Sequence, residues 1–368
     1  MLTILDRYIL RSLLINYVVA LAAMISLYIV LDMFVNMDEF TEQGYPALTV
    51  IANMFDYYAP NVLLYFSQLS SAITLFACMA VLARMRKLNE LTAILASGVS
   101  LYRVARPVLL FGVSTTGLYV LDTEVLIPAV AHKLSRDHDD ADGKRAYEVL
   151  FLRDRNGALL SAGQFHPRSR DLQRLLVLFR DDDGAIVRTL EADRAVWEPP
   201  DAFRSEGRWR LERGRLTQRR TGERVGLGPR EARVTTYPVV YESDLSPEAI
   251  QLRQSGSWTR FLSLSQLRAL ELEENSDRAA LIQTRHGRIA SPLVGLLLLL
   301  LGLPFFLDRS PANVLSDTGK CMLLCGLCYV VAFLAQSVHG ETLSALPAWI
   351  PILVFGPVAI VLLDRVRT

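Results

Sequence analysis

Six stretches of this chain are each apolar over roughly the 20 residues that a helix needs to cross the ~30 Å hydrocarbon core of a bilayer, and this restricts the fold more than any other feature. They lie at about residues 12–37, 60–83, 107–128, 289–307, 321–340 and 347–363. The third begins and ends at Pro107 and Pro128, and the sixth region carries Pro347, Pro351 and Pro357. Proline is tolerated in lipid where neighbouring helices satisfy the freed carbonyls. With 51% apolar residues and a net charge of +1, the composition of the 368-residue chain favours a membrane protein over a nucleic-acid binder. Four cysteines, three of them inside one apolar run, do not resemble the paired framework of a small secreted domain, so no disulfides are expected.

Orientation follows from the short loops, because Lys and Arg are retained on the cytoplasmic side. Residues 84–107 hold Arg84, Arg86, Lys87, Arg103 and Arg106, whereas the first connection, 38–56, holds Asp38, Glu39, Glu42 and Asp56 and no cation. The fifth connection (GETLSAL) also lacks cations, and Arg365 and Arg367 follow the sixth span. Both termini are therefore expected in the cytoplasm, with residues 129–288 outside. No signal peptide is expected, since the first apolar run is too long and leads into an acidic loop instead of a cleavage site. LDRYILRSLL reads as an interfacial helix leading into the first span.

The external segment changes character. From about 145 to 243, short alternating stretches such as YEVLFLR, GALLSAGQF, LLVLFRD and RWRLERGRLTQ are separated by the turn signals RNG, DDDG, EPPD and RTGE. This all-β pattern suits a sandwich or jellyroll, and strands presenting Arg on one face could also form an open groove. From about 246 to 287 the spacing becomes helical and returns the chain to the membrane.

Most apparent chemical motifs fail on inspection. VLSDTGKC at 314–321 has Val314 where a phosphate loop needs glycine and Cys321 where Ser or Thr should hold magnesium. Cys321, Cys325 and Cys328 have an iron–sulfur-like spacing but lie in a continuous apolar helix, where thiols act as small packing residues. The acidic run RDHDDADG at 136–143 has Ala141 at a position where a calcium loop needs an oxygen ligand, and reads as a solvated linker. Ser67, Ser70 and Ser71 suit close helix packing, and Gln336 and His339 suit helix–helix hydrogen bonds. No catalytic constellation and no metal site emerge, so an intramembrane enzyme is disfavoured.

RMRKLNELTAILASGVSLYRVARP, at 84–107, is too long for a simple turn. KLNELTAILASG can form a short cytoplasmic helix ended by Gly98, with a second start at Ser100. Glu90 is the single carboxylate among cations, and Leu91, Ile94 and Leu95 offer a small apolar face. Two readings stand at this point: a helix docked in a groove of a cytoplasmic partner, or a cationic helix lying against lipid headgroups.

The sequence resembles the LptF/LptG permeases of lipopolysaccharide export. The likeness rests on LDRYILRSLL at the start, NELTAILASGVSLYRVARP at 89–107, HGRIASPLVGLLLLLLGLPF at 286–305 and LPAWIPILVFG at 346–356. The run from Glu90 to Gly98 is its most specific part. The resemblance implies a polytopic α-helical membrane protein with six transmembrane helices and an inserted periplasmic all-β jellyroll-like domain, resident in the bacterial inner membrane. It divides the chain into residues 1–128 (spans one to three, with a coupling helix near 87–99), 129–257 (the β domain), 258–288 (a helical return) and 289–368 (spans four to six). It also implies a second permease of the same family, a cytoplasmic ABC ATPase dimer that supplies ATP and Mg chemistry, a periplasmic bridge protein, and lipopolysaccharide or a related glycolipid as cargo. The lipid would leave the membrane through a gate near spans one and five. No cofactor and no nucleic acid belong to this chain in that picture. By position, Arg86, Lys87, Glu90, Leu91, Ile94, Leu95 and Gly98 would form the ATPase-coupling element.

One departure stands out. Family members often carry lysines near the outer end of the first span, where this chain has Asp32, Asp38 and Glu39. Arg285 and Arg288, just outside the fourth span, are the alternative lipid-phosphate contacts, since guanidinium groups pair bidentately with phosphate; their other role is headgroup anchoring. LDRYI leans toward the G type of subunit. A membrane sensor or scaffold with a ligand-binding β domain has the same spans but needs no docking helix.

Overall fold

The computed structural model describes residues 3–37, 46–134, 146–154, 157–181, 185–200, 207–221, 231–254, 258–271, 278–307, 314–337 and 344–365. The acidic run 136–143, the acidic residues 38, 39 and 42, His339, Arg367 and much of the turn signals lie outside the described residues. The chain divides into two compact units, one of Met1–Met37, Tyr58–Val130 and Thr259–Thr368, the other of Asp38–Tyr57 and Ala131–Trp258.

In the first unit, α1 runs unbroken over Ile4–Val35. Thr3 caps it: the Asp6 amide donates to Thr3 Oγ1 at 3.4 Å while the Thr3 amide donates to Asp6 Oδ2 at 2.8 Å. LDRYILRSLL is thus continuous with the helix of the first span. No Gly or Pro interrupts residues 4–35, and Asn16 donates its amide to the Ser12 carbonyl at 2.8 Å inside the helix. α2 covers Ala47–Lys87 and contains Pro60. A short α3, Glu90–Ala96, follows, and then α4, Leu101–Leu121.

α4 passes through a π turn, Asp122–Leu126, into α5, Ile127–Leu134. Pro107 and Pro128, expected to bound the third span, both lie inside helix. For Pro128 the π turn explains how: Ile127 N–H bonds back to the Asp122 carbonyl, and this wider loop eases the crowding that a proline ring imposes one turn upstream. The remaining helices, in the numbering used here, are α6 (Pro247–Gln254), α7 (Leu264–Glu271), α8 (Arg278–Phe306), α9 (Val314–Ser337) and α10 (Leu346–Arg365). α8 absorbs the end of the helical return, so residues 278–288 and the fourth span are one helix.

Among the described residues, six helices are long and apolar enough to cross a membrane: α1, α2, α4 with its continuation, α8, α9 and α10. Their shared core joins Ile9 and Leu13 to Ile73, Leu82 and Met85, to Val104 and Val108, and to Leu298, Leu301 and Phe306. Tyr17 meets Phe111 edge-on at 5.5 Å, and Thr74 donates to Thr115 Oγ1 at 3.2 Å between α2 and α4. Small polar groups joining apolar helices in this way replace the hydrophobic force that lipid cannot supply.

The second unit holds one antiparallel sheet of eight strands. These are β1 (Tyr147–Arg153), β2 (Leu159–His166), β3 (Asp171–Arg180), β4 (Ile186–Glu198), β5 (Arg208–Glu212), β6 (Arg215–Thr221), β7 (Glu231–Thr236) and β8 (Val240–Glu242). β5 and β6 share one register along β4, with Arg194 opposite Glu212 and Glu191 opposite Arg215, so they form one strand interrupted at Arg213–Gly214. β7 and β8 flank them as the two parts of the next strand. The described strands therefore neighbour one another in chain order, as a meander.

Three ladders of buried side chains cross this sheet: Phe165, Leu172, Ala195 and Leu211; Ala162, Leu175 and Ala192; and Leu160, Val177 and Leu190, the last ending on half-buried Leu216. Between the first two ladders the buried positions step by three residues and not two, in β2, β3 and β4 alike. At that level Arg174 has φ 53° and Arg213 has φ 55°; in β1 the irregularity lies one ladder further on, at Phe151 with φ 46°, between Val149 opposite Ala162 and Leu152 opposite Leu160. Gly214 stands beside Arg213 because a Cβ there would come within 2.4 Å of the Pro238 carbonyl oxygen. One extra residue at a common level in β2, β3, β4 and the β5–β6 strand creases the sheet, so both halves present their apolar side chains to one core. Trp209 lies fully buried in that core and donates its indole N–H to the Leu245 carbonyl at 3.0 Å, and Ile250 of α6 packs against it.

Candidate functional site

The cationic segment folds as two breaks around one short helix. Lys87 ends α2, and Asn89 turns the chain with φ 58°, a left-handed conformation that Asn adopts more readily than most residues. α3 then runs for 7 residues and stops at Gly98, whose φ of 84° suits glycine and whose N–H bonds to the Leu95 carbonyl at 3.0 Å. Ser100 begins α4.

The apolar residues of α3 face inward. Leu91 is 3% exposed in the helical core, and Ile94 and Leu95 pack partly against it. The surface left outward is Thr92, Ala93, Ala96 and Ser97, with Lys87 exposed at the root and Glu90 half-buried at the first turn. Glu90 Oε2 accepts a hydrogen bond from the Tyr8 hydroxyl at 2.8 Å. Arg84 donates to Ser12 Oγ at 3.0 Å, a second tie between α2 and α1.

Arg86 points away from the outward surface. Its side chain is 4% exposed and pairs with Asp317 at 2.9 Å, while the same nitrogen donates to the Phe305 carbonyl at 2.7 Å. Thus Leu91, Ile94, Leu95 and Arg86 mount the helix, and Lys87, Glu90 and the exposed Gly98 remain at the surface. Tyr8, Ser12 and Asp317 are absent from the sequence-derived set. Nothing local marks them, since Tyr8 lies 82 positions from Glu90 and Asp317 lies 231 from Arg86.

Arg285 and Arg288 lie on α8, and both are engaged by this chain. Arg285 pairs with Glu271 of α7 at 2.5 Å. Arg288 donates to the Thr123 carbonyl at 2.8 Å, to Glu124 at 3.3 Å and to the Arg260 carbonyl. Glu124, carried by the π turn, also accepts from the Leu264 amide at 2.7 Å at the start of α7. The two arginines therefore fasten α8 to the segments beside it. Next to them, Trp349 donates to His286 Nδ1 at 3.3 Å, joining α10 to α8.

The decoy motifs have structural places. Residues 314–321 form the first turns of α9, so no loop cradles a phosphate there. Cys321, Cys325 and Cys328 are buried on one face, with Cys321 Sγ 4.0 Å from Cys325 Sγ and 3.7 Å from Met79 Sδ. At the end of α9, Gln283 of α8 donates to the backbone carbonyl of Gln336 at 3.0 Å.

Six membrane-length helices, an inserted antiparallel sheet and a short helix between the second and third spans define a polytopic membrane protein with an inserted β domain. Residues 7–365 match the family described as lipopolysaccharide export system permease LptF/LptG, and the chain belongs to that family. It is accordingly an inner-membrane component of a lipopolysaccharide export complex and not itself a catalytic enzyme. No curated protein matches it.

Proposed function

We propose that this chain is the permease subunit of an ABC-type exporter that extracts lipopolysaccharide, or a related glycolipid, from the inner membrane. It pairs with a second permease of the family and passes lipid through a gate near the first and fifth spans to a periplasmic bridge protein. A separate cytoplasmic ATPase dimer binds ATP and Mg and performs hydrolysis. In this reading both termini are cytoplasmic, and the creased sheet is the periplasmic, jellyroll-like conduit.

The observation that carries the proposal is α3. A short helix packs its apolar side against the helical core, with half-buried Glu90 in its first turn and exposed Lys87 just before it at the end of α2. Such a surface suits an ion-paired groove on a partner better than a purely lipidic contact, where a carboxylate gains nothing from anionic headgroups. Arg285 and Arg288 stay as lipid-phosphate contacts in the proposal, reaching phosphate by exchanging their carboxylate and carbonyl partners.

The test is co-purification of the ATPase with the wild-type chain and with Glu90→Lys. Loss of the ATPase from the variant is expected. Its retention would remove docking from the reading.

A further inference from the structure

Glu90, assigned above to docking, is not held by its own helix alone. Tyr8, in the first turns of α1, reaches it across 82 positions of sequence with a 2.8 Å hydrogen bond. A phenol donating to a carboxylate is charge-assisted, so it fixes the carboxylate more firmly than a neutral bond would. Tyr8 is 43% exposed, and losing its hydroxyl leaves no buried void.

The root of α3 has a second tie. Arg86 is separated from Glu90 only by Lys87, Leu88 and Asn89. Its guanidinium joins Asp317, in the first turn of α9, and the Phe305 carbonyl at the end of α8. A nearly buried cation with a carboxylate and a carbonyl partner keeps one geometry, because separating the pair strands the guanidinium away from water.

These two links lead to particular helices. One joins α3 to α1 and the other joins its root to α9, which are the first and fifth of the six spans. Much of each helix is apolar surface not covered by this chain, as with Val19 and Leu27 on α1 and Leu323 and Phe333 on α9. A push on α3 therefore reaches the two spans that line the proposed gate through specific polar contacts.

We propose that the Tyr8–Glu90 hydrogen bond and the Arg86–Asp317 ion pair are the two couplings through which an ATPase seated on α3 moves the first and fifth spans. Tyr8 and Asp317 are positioning residues in this scheme. The inference rests on the docking reading of α3 and adds the route beyond it.

The test uses the complete complex in vesicles of phosphatidylethanolamine, phosphatidylglycerol and lipopolysaccharide, as wild type, Tyr8→Phe, Asp317→Asn and Glu90→Lys. The quantity measured is lipopolysaccharide delivered to the bridge protein per ATP hydrolysed. Partial unfolding removes delivery and hydrolysis together and leaves this ratio unmoved. The ratio is expected to fall about fivefold or more in Tyr8→Phe and in Asp317→Asn, the size associated with losing one charge-assisted hydrogen bond. A ratio equal to wild type in either variant overturns the proposal for that link. The Glu90→Lys arm separates the two levels: unchanged ratios with the ATPase lost from Glu90→Lys sink the links and leave docking intact, whereas an ATPase retained by Glu90→Lys sinks both.

Discussion

Arg86 and Lys87 are neighbours of the same charge with opposite fates. Arg86 is enclosed with Asp317 and a carbonyl, and Lys87 is exposed. Removing Arg86 loses its ion pair and its bond to the Phe305 carbonyl, although Asp317 keeps Lys320 at 3.7 Å, so Arg86→Ala should cost about 1–3 kcal/mol, whereas Lys87→Ala at the surface should cost less than about 0.5 kcal/mol. Thermal unfolding of the purified chain in detergent distinguishes them directly. A similar comparison applies at Arg288, whose side chain is 12% exposed beside Glu124. Arg288→Ala and Glu124→Gln should both lower the unfolding temperature, because each strands part of the same fastening. Only Arg288→Ala should also lower lipopolysaccharide-stimulated ATPase activity of the complex. Equal stimulation in Arg288→Ala and wild type would confine Arg288 to a structural role. The sequence singled out both cations, but their partners lie far away along the chain, and charge alone does not say whether an arginine faces a lipid or a carboxylate.

The helices were the most legible elements, because hydropathy reports directly on what can sit in lipid. Their ends were less so. Pro107 and Pro128 look like boundaries in sequence, yet α4 starts at Leu101, before the first, and a π turn admits the second. The β pattern was equally plain as alternation, but the crease was not. A step of three between buried residues reads as a break in periodicity, and Phe151, Arg174 and Arg213 carry no composition that announces a positive φ. Gly214 is the exception, and it permits a test at this scale. Because a Cβ there would meet backbone, which cannot rotate aside, Gly214→Ala should destabilise the sheet by about 1–3 kcal/mol. The fluorescence of Trp197 and Trp209, whose rings lie 5.1 Å apart in the sheet, should report the loss at a lower temperature than in wild type.

For the molecule as a whole, the first question is which side of the membrane each part occupies. The four native cysteines are all buried, so engineered ones can be read against a quiet background. Cysteine at exposed Tyr237 should react with an impermeant maleimide in spheroplasts, and cysteine at exposed Ser97 should react only after lysis. The reverse pattern would invert the topology. Acid sensitivity should also be localised. Burial pushes the Asp171 carboxyl up, but the Ser169 hydroxyl and the Arg194 guanidinium outweigh it and hold the pKa below 3.8. A folded pKa below the unfolded one gives stability that is present above the unfolded value and lost as pH falls through the folded one. Wild type should therefore lose thermal stability more steeply than Asp171→Asn between about pH 5 and pH 3, followed by tryptophan fluorescence.

The crease gives the inserted sheet the mechanics of a folded card. β2, β3, β4 and the β5–β6 strand cross the fold line with their irregularities at the same height, so the two leaves can change their opening angle while the ladders within each leaf stay paired. Deuterium uptake should then be fastest at residues 163–164, 174 and 213–214, and slow in the leaves on either side.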